Sequence, residues 1–145
     1  MTRDLFDSGI LSAYLNRRSA VFERVRTRTS EGHRIGTCVP VLAEIVSGIE
    51  RSSSRDHNLQ ALPTALPTLK VWPFDLRTAF EYGRIHADLM RAGRPMQTID
   101  IMLAAVALTL GNCTVVTTDS DLAAISGLQV ENWLPSQKPS VSPST

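Results

Sequence analysis

Cysteine is scarce: the 145-residue chain has it only at positions 38 and 113, too few for the disulfide frameworks that staple small secreted domains. Both stand in apolar, strand-like surroundings. That context predicts two buried thiols in a reducing compartment and leaves a Cys38–Cys113 bridge as the less favoured alternative. Long apolar runs are missing too. No stretch approaches the ~20 residues of a membrane span, and the opening Met-Thr-Arg-Asp meets an acidic residue at once instead of leading into a signal sequence. The expected location is the cytoplasm, with no membrane partner. An excess of charge of one sign is also lacking. With 15 Lys and Arg against 14 Asp and Glu, the net charge of +1 excludes the global field of a non-specific nucleic-acid binder. Lysine itself is almost absent, since 13 of the 15 basic residues are Arg and only Lys70 and Lys138 are Lys. That bias suits planar, bidentate contacts to phosphate or carboxylate, and genomic base composition explains it equally well.

What is present is ordinary for a globular protein. Hydrophobic residues make up 43% and charged residues 20%, and the length suffices for one domain with its own core. The chain has no internal repeat. The one clear shift in composition is the Ser- and Pro-rich end, so a domain over 1–134 and a disordered tail over 135–145 are expected.

Within that domain, short β-prone runs alternate with helical patterns, as in a layered α/β fold. A strand at 4–6 leads to helices at 9–16 and 20–29, and a strand at 34–39 to a helix at 41–50, entered through Pro40. Ser52, Ser53 and Ser54 form a loop. The next helix starts near Asp56, and Pro63 and Pro67 are expected to end or break it. A strand at 69–72 precedes a long helix capped by Asp75 and running to Arg91, in which Leu76, Ala79, Gly83, His86 and Met90 recur at helical spacing, with Gly93 as its stop. The helix at 99–110 is apolar all round except for Asp100 and Thr109, which predicts a central, buried position. A β-branched run at 113–117 reads as an interior parallel strand, followed by Asp119-Ser120-Asp121, a short helix and a last strand at 129–132. Right-handed crossovers then give a mostly parallel central sheet flanked by helices on both faces.

In such a sheet ligands bind beyond the carboxyl ends of the strands, which singles out the acids that follow strands. Asp7 ends the first strand, Asp119 follows the run at 113–117, Asp100 opens the buried helix and Glu44 lies in the helix after Pro40. Each has a plain structural explanation. Asp7 fits a helix cap, Asp119 a turn residue in competition with Asp121, and Asp100 a favourable first-turn charge. Glu44 lies off the apolar stripe of Val41, Leu42, Ile45, Val46 and Ile49, as a solvated residue does. Asp100 resists this treatment most. Its helix offers no solvated face, and an unpaired buried carboxylate costs several kcal/mol. A cation shared among carboxylates resolves that cost, and Mg²⁺ in particular takes one or two of them plus waters and phosphate oxygens.

Leu5-Phe-Asp-Ser-Gly-Ile-Leu-Ser12, Val41-Leu-Ala-Glu-Ile-Val-Ser-Gly48, Gly93-Arg-Pro95 followed by Asp100-Ile-Met-Leu-Ala-Ala105, and Val115-Val-Thr-Thr-Asp-Ser-Asp-Leu122 with Gly127-Leu-Gln-Val-Glu-Asn-Trp133 stand in the order found in one family. The chain resembles the PIN-domain ribonuclease toxins of VapBC toxin–antitoxin pairs over about positions 4–134. The resemblance implies a PIN-like three-layer sandwich and a Mg²⁺ or Mn²⁺ site at Asp7, Glu44, Asp100 and Asp119. It further implies hydrolysis of RNA to a 5′-phosphate and a 3′-hydroxyl. Its expected partners are RNA, a small VapB-like antitoxin whose C-terminal segment enters the acidic groove, and a second copy of the chain. Two positions depart from the pattern: Gly9, where the family commonly has Asn, and Leu122, where it commonly has Phe.

Thr117, just before the last acids, suits a hydrogen bond to phosphate or to a metal-held water, but first an ordinary strand residue. Arg17, Arg18, Arg24, Arg26 and Arg28 are candidates for RNA phosphates and equally for solvated helix faces. His33, His57 and His86 show no metal spacing and are expected at the surface or in helix packing. Trp72 and Trp133 read as core or sheet-edge aromatics. Three rivals compete with the nuclease. A phosphoacceptor receiver needs a Lys after a late strand, an acid-nucleophile phosphatase needs a second Asp at position 9, and a PIN fold without catalysis serves only to bind.

Overall fold

The computed structural model describes residues 1–135. Most of the expected tail, 136–145, lies outside the described residues. The elements follow as β1 (Arg3–Phe6), α1 (Ser8–Leu15), α2 (Ser19–Ser30), β2 (Arg34–Cys38), α3 (Val39–Glu50), α4 (Arg55–Ala65), β3 (Lys70–Trp72), α5 (Leu76–Arg91), α6 (Thr98–Leu110), β4 (Cys113–Val116) and β5 (Gln129–Glu131). Short 3₁₀ turns occupy Leu66–Thr68 and Ser120–Ala124.

All five strands are parallel, in the order β3-β2-β1-β4-β5, where a mostly parallel sheet was expected. Right-handed crossovers on that order place α1 to α4 on one face and α5 with α6 on the other. The result is a three-layer α/β sandwich. The central strands β1 and β4 are covered on both sides, and Leu5, Phe6, Val115 and Val116 have no solvent exposure. Burying a side chain of this kind contributes roughly 1.5–3 kcal/mol relative to leaving it in water.

On the α1–α2 face an aromatic cluster ties the strands to the helices. Phe6 meets Trp133 edge-on at 5.4 Å and Tyr14 at 6.0 Å, and Tyr14 stacks on Phe22 at 4.9 Å. The Tyr14 hydroxyl shares a 2.7 Å hydrogen bond with Thr68. Trp133 is buried, as its sequence context suggested, whereas Trp72 is half-buried on the edge strand β3. On the other side of β2 the backbones approach so closely that a Cβ at Gly36 would lie 2.2 Å from the Lys70 carbonyl oxygen. Only glycine fits there.

Two helices depart from expectation. Pro63 sits inside α4, and the following 3₁₀ turn contains Pro67. Pro63 comes so near the helix end that its missing N–H removes one bond from a segment already about to stop. In α5 the buried residues are Thr78, Ile85 and Leu89, while Leu76 and Met90 of the expected stripe are 75% and 60% exposed. Both sets recur at helical spacing, and only packing against α6 selects between them. The interior of α6 is buried as expected, from Ile101 through Leu103–Ala107.

Candidate active site

The strand order reverses direction between β1 and β4, and the crevice beyond their carboxyl ends is where open α/β sheets bind ligands. Asp7 follows β1 directly. One of its oxygens does what a helix cap does, accepting the Ile10 N–H at 2.8 Å. The other accepts the Thr117 hydroxyl. The cap and the site reading of Asp7 are therefore compatible, because they use different oxygens.

Thr117 is 1% exposed and stands just past β4, so it is more than a β-branched strand residue. Its oxygen also accepts the Asp119 N–H at 2.9 Å, linking two of the candidate acids through one hydroxyl. Asp119 in turn accepts the Asp121 N–H at 2.9 Å and caps the 3₁₀ turn that follows. Asp100 lies in the first turn of α6 and is only partly buried. Glu44 is exposed on α3, where it accepts a 3.1 Å bond from Ser8 Oγ.

Burial first, then the negative charges of Asp119, Asp7 and Glu44, push the Asp100 carboxyl above the usual carboxylate range. Asp7 is pushed up in the same way, by burial and by Asp119, against the lowering effect of its hydrogen bonds from Thr117 and Ile10. All four expected acids thus converge within electrostatic reach. None of them forms an ion pair among the described residues.

Also among the described residues, no three carboxylate, imidazole or thiolate groups make a ready-formed metal cage. The donors are nonetheless all hard carboxylate oxygens whose mutual repulsion a divalent cation relieves. An open arrangement suits Mg²⁺, which keeps several of its waters. Asp100, Asp119 and Asp121 line a cleft of about 760 Å³ together with Gln97 and Arg94. Sequence reasoning did not single out Arg94, Gln97 or Ser8. The signal for Arg94 was its place in the Gly93-Arg94-Pro95 block.

Other expected residues lie elsewhere or are engaged. Arg28 pairs with Glu131 at 2.5 Å and stands over the Trp133 ring at 5.8 Å, so it is occupied within the fold. Arg17, Arg18, Arg24 and Arg26 are exposed. His57 is exposed on α4 and His86 stacks on Tyr82 at 5.8 Å. His33 is neither free at the surface nor part of helix packing. It precedes β2 and bonds Asp4 Oδ2 at 2.7 Å, and Asp4 is wholly buried. Both cysteines are free and buried, with burial raising the thiols to about 11 at Cys38 and about 12 at Cys113. Lys70 lies on the edge strand β3, two strands away from β1, so among the described residues no lysine stands beside the acids as a receiver domain needs.

The PIN domain model matches residues 5–128. The tRNA(fMet)-specific endonuclease VapC of Salmonella typhimurium is 29% identical over 118 residues, which span 81% of this chain and 87% of that protein. The protein of the same name from Shigella flexneri is 30% identical over 92 residues, 63% of this chain and 70% of that one. Among solved structures, DNA-bound VapBC from Salmonella typhimurium superposes with a TM-score of 0.83 at 27% identity, covering 92% of this chain and 100% of that one. VapBC2 from Rickettsia felis, bound to a promoter DNA fragment, shares the fold with a TM-score of 0.84 at 23% identity over the same shares. A carboxylate cluster at the switch point of a five-stranded parallel sheet and these matches lead to one assignment: the chain belongs to the PIN-domain family, among its VapC members.

Proposed function

We propose that the chain is a Mg²⁺-dependent endoribonuclease and the toxin of a type II toxin–antitoxin pair. The observation that carries this reading is the convergence of Asp7, Glu44, Asp100 and Asp119, without a basic partner among the described residues, beside an open cleft. Relatives that bear the names endonuclease and ribonuclease support it.

In this reading Asp7 and Asp100 would hold the cation, with Asp119 and Glu44 assisting directly or through waters. Mn²⁺ is an alternative occupant. Bound there, the cation supplies a Lewis acid for the phosphate and lowers the pKa of a coordinated water. Thr117 fixes the orientation of the Asp7 carboxylate, and Ser8 does the same for Glu44. RNA strands cut by water in line with the leaving 3′-oxygen end in a 5′-phosphate and a 3′-hydroxyl.

Several of the matched structures are VapBC complexes, which supports a VapB-like antitoxin as partner, its C-terminal segment entering the acidic cleft. A second copy of the chain is the other partner. The support is Leu76, Phe80 and Met90, which lie on one side of α5 and are 75%, 75% and 60% exposed.

The deciding experiment incubates total cellular RNA with the purified protein in Mg²⁺, in Mn²⁺ and in EDTA, with Asp100→Ala as control. Discrete fragments that need metal and vanish in the variant are expected. Intact RNA under every condition, with wild-type protein folded, would leave a binding role in place of catalysis.

A further inference from the structure

Among the described residues the cleft beside the acids is lined by one cationic side chain, and its backbone is held on both sides. Arg94 lines the same 760 Å³ space as Asp100, Asp119 and Asp121. The segment that carries it closes α5: the Gly93 N–H bonds the Met90 carbonyl at 3.1 Å and the Arg94 N–H bonds the Leu89 carbonyl at 2.9 Å. These are the paired bonds of a Schellman stop, made possible by Gly93 at φ +65°. Pro95 then restricts the chain on the other side. The base of the side chain is therefore held by two constraints of unrelated origin.

Among the described residues its head group has no protein partner. Asp88, which lines the neighbouring hollow together with Arg94, already accepts from Arg84 at 3.3 Å and from Arg91 at 3.1 Å. Arg84 further bonds Glu81. Among the described residues Arg94 forms no ion pair, although the cleft it lines is otherwise acidic. The neighbouring arginines thus satisfy Asp88, and the one that faces the cleft is spare.

We propose that Arg94 is the substrate anchor of the cleft, its guanidinium holding an RNA phosphate next to the one that is cut. The inference rests on the nuclease reading above. A guanidinium presents a planar fork that matches phosphate oxygens bidentately, and it is charged at any working pH. A polyanion entering a cleft lined by Asp100, Asp119 and Asp121 needs a compensating cation, and Arg94 lines that cleft with them. Because it touches the strand and not the reacting atoms, Arg94 is a positioning residue.

The test uses the full chain and a labelled oligonucleotide that spans a site the wild-type protein cuts in the total-RNA digest. Arg94→Gln is compared with Arg51→Gln, which removes an equal charge at the C-terminal end of α3. Arg94→Gln is expected to raise KM roughly tenfold with kcat within about twofold. It also lowers the slope of log affinity against log salt by about 0.7, the contribution of one phosphate on a single strand. Arg94→Lys restores the slope while recovering only part of the KM. An Arg94→Gln variant with the KM and salt slope of Arg51→Gln overturns the anchor while the nuclease stands. A wild-type protein that cuts no RNA overturns both.

Discussion

Thr117 donates its hydroxyl to Asp7 and accepts the backbone N–H of Asp119, so a single side chain joins the end of β1 to the loop after β4. The two acids lie 112 positions apart in the chain, as 119 − 7 gives. The β1–β4 pairing, continued by the Asp7 N–H bond to the Val116 carbonyl at 3.1 Å, brings the two segments together, and the Thr117 hydroxyl links the acids across them.

Thr117→Val keeps the shape and removes both bonds. Cleavage is expected to fall about 10- to 100-fold, the usual effect of deleting a group that orients a ligand of the site, and Thr117→Ser to restore most of it. Full activity in the valine variant, at unchanged Tm, would show that the bridge is idle.

Asp4 is wholly buried, with one oxygen bonded to His33 and Oδ1 without a partner among the described residues. Burial raises its carboxyl above the ordinary value of 3.8, with the His33 hydrogen bond and charge, and the Arg28 charge, acting the other way. The folded state therefore prefers protonated Asp4. Its contribution is fully present below the unfolded pKa and is lost as pH rises through the folded one. Asp4→Asn accepts the same His33 bond without the charge, and a stability gain of about 1 kcal/mol near neutral pH that shrinks toward acid is expected. Urea melts across that range decide it. A gain that grows on acidification contradicts the sign.

Phe80→Asp places a charge in the middle of the exposed side of α5. If copies of the chain associate through this side, the variant elutes as a monomer in light-scattering chromatography and keeps its Tm within a few degrees. Equal masses for variant and wild type would remove α5 from the interface.

Gly9 stands where Asn is common in the family, and a Cβ there would meet only Asp7 Oδ1, at 3.6 Å. Gly9→Asn should therefore fold normally and leave metal-dependent cleavage undiminished. A loss of several degrees in Tm would show that the space beside Asp7 is not free.

Much of this protein was legible before any coordinates. Periodicities of two and of 3.6 residues are local properties, so the order of strands and helices, the stop at Gly93 and the buried α6 followed from neighbours in sequence. Asp7 and Asp119 could be singled out as acids that follow strands, a local fact with a topological consequence, whereas Asp100 stood out by its apolar helix and Glu44 by the family resemblance. Apart from Pro63, tolerated near the end of α4, the misreadings involve choices that distant residues make. Two stripes of α5 had equal claim to the core until α6 packed on one. His33 gave no sign of Asp4, 29 residues earlier, nor Arg28 of Glu131, 103 residues on. Pattern along the chain determined which elements form and which acids stand at their ends. Only the tertiary structure decided the strand order, the bridging role of Thr117 and the spare cation at Arg94, because hydrogen bonds and ion pairs depend on separation in space, which contacts across the sheet set.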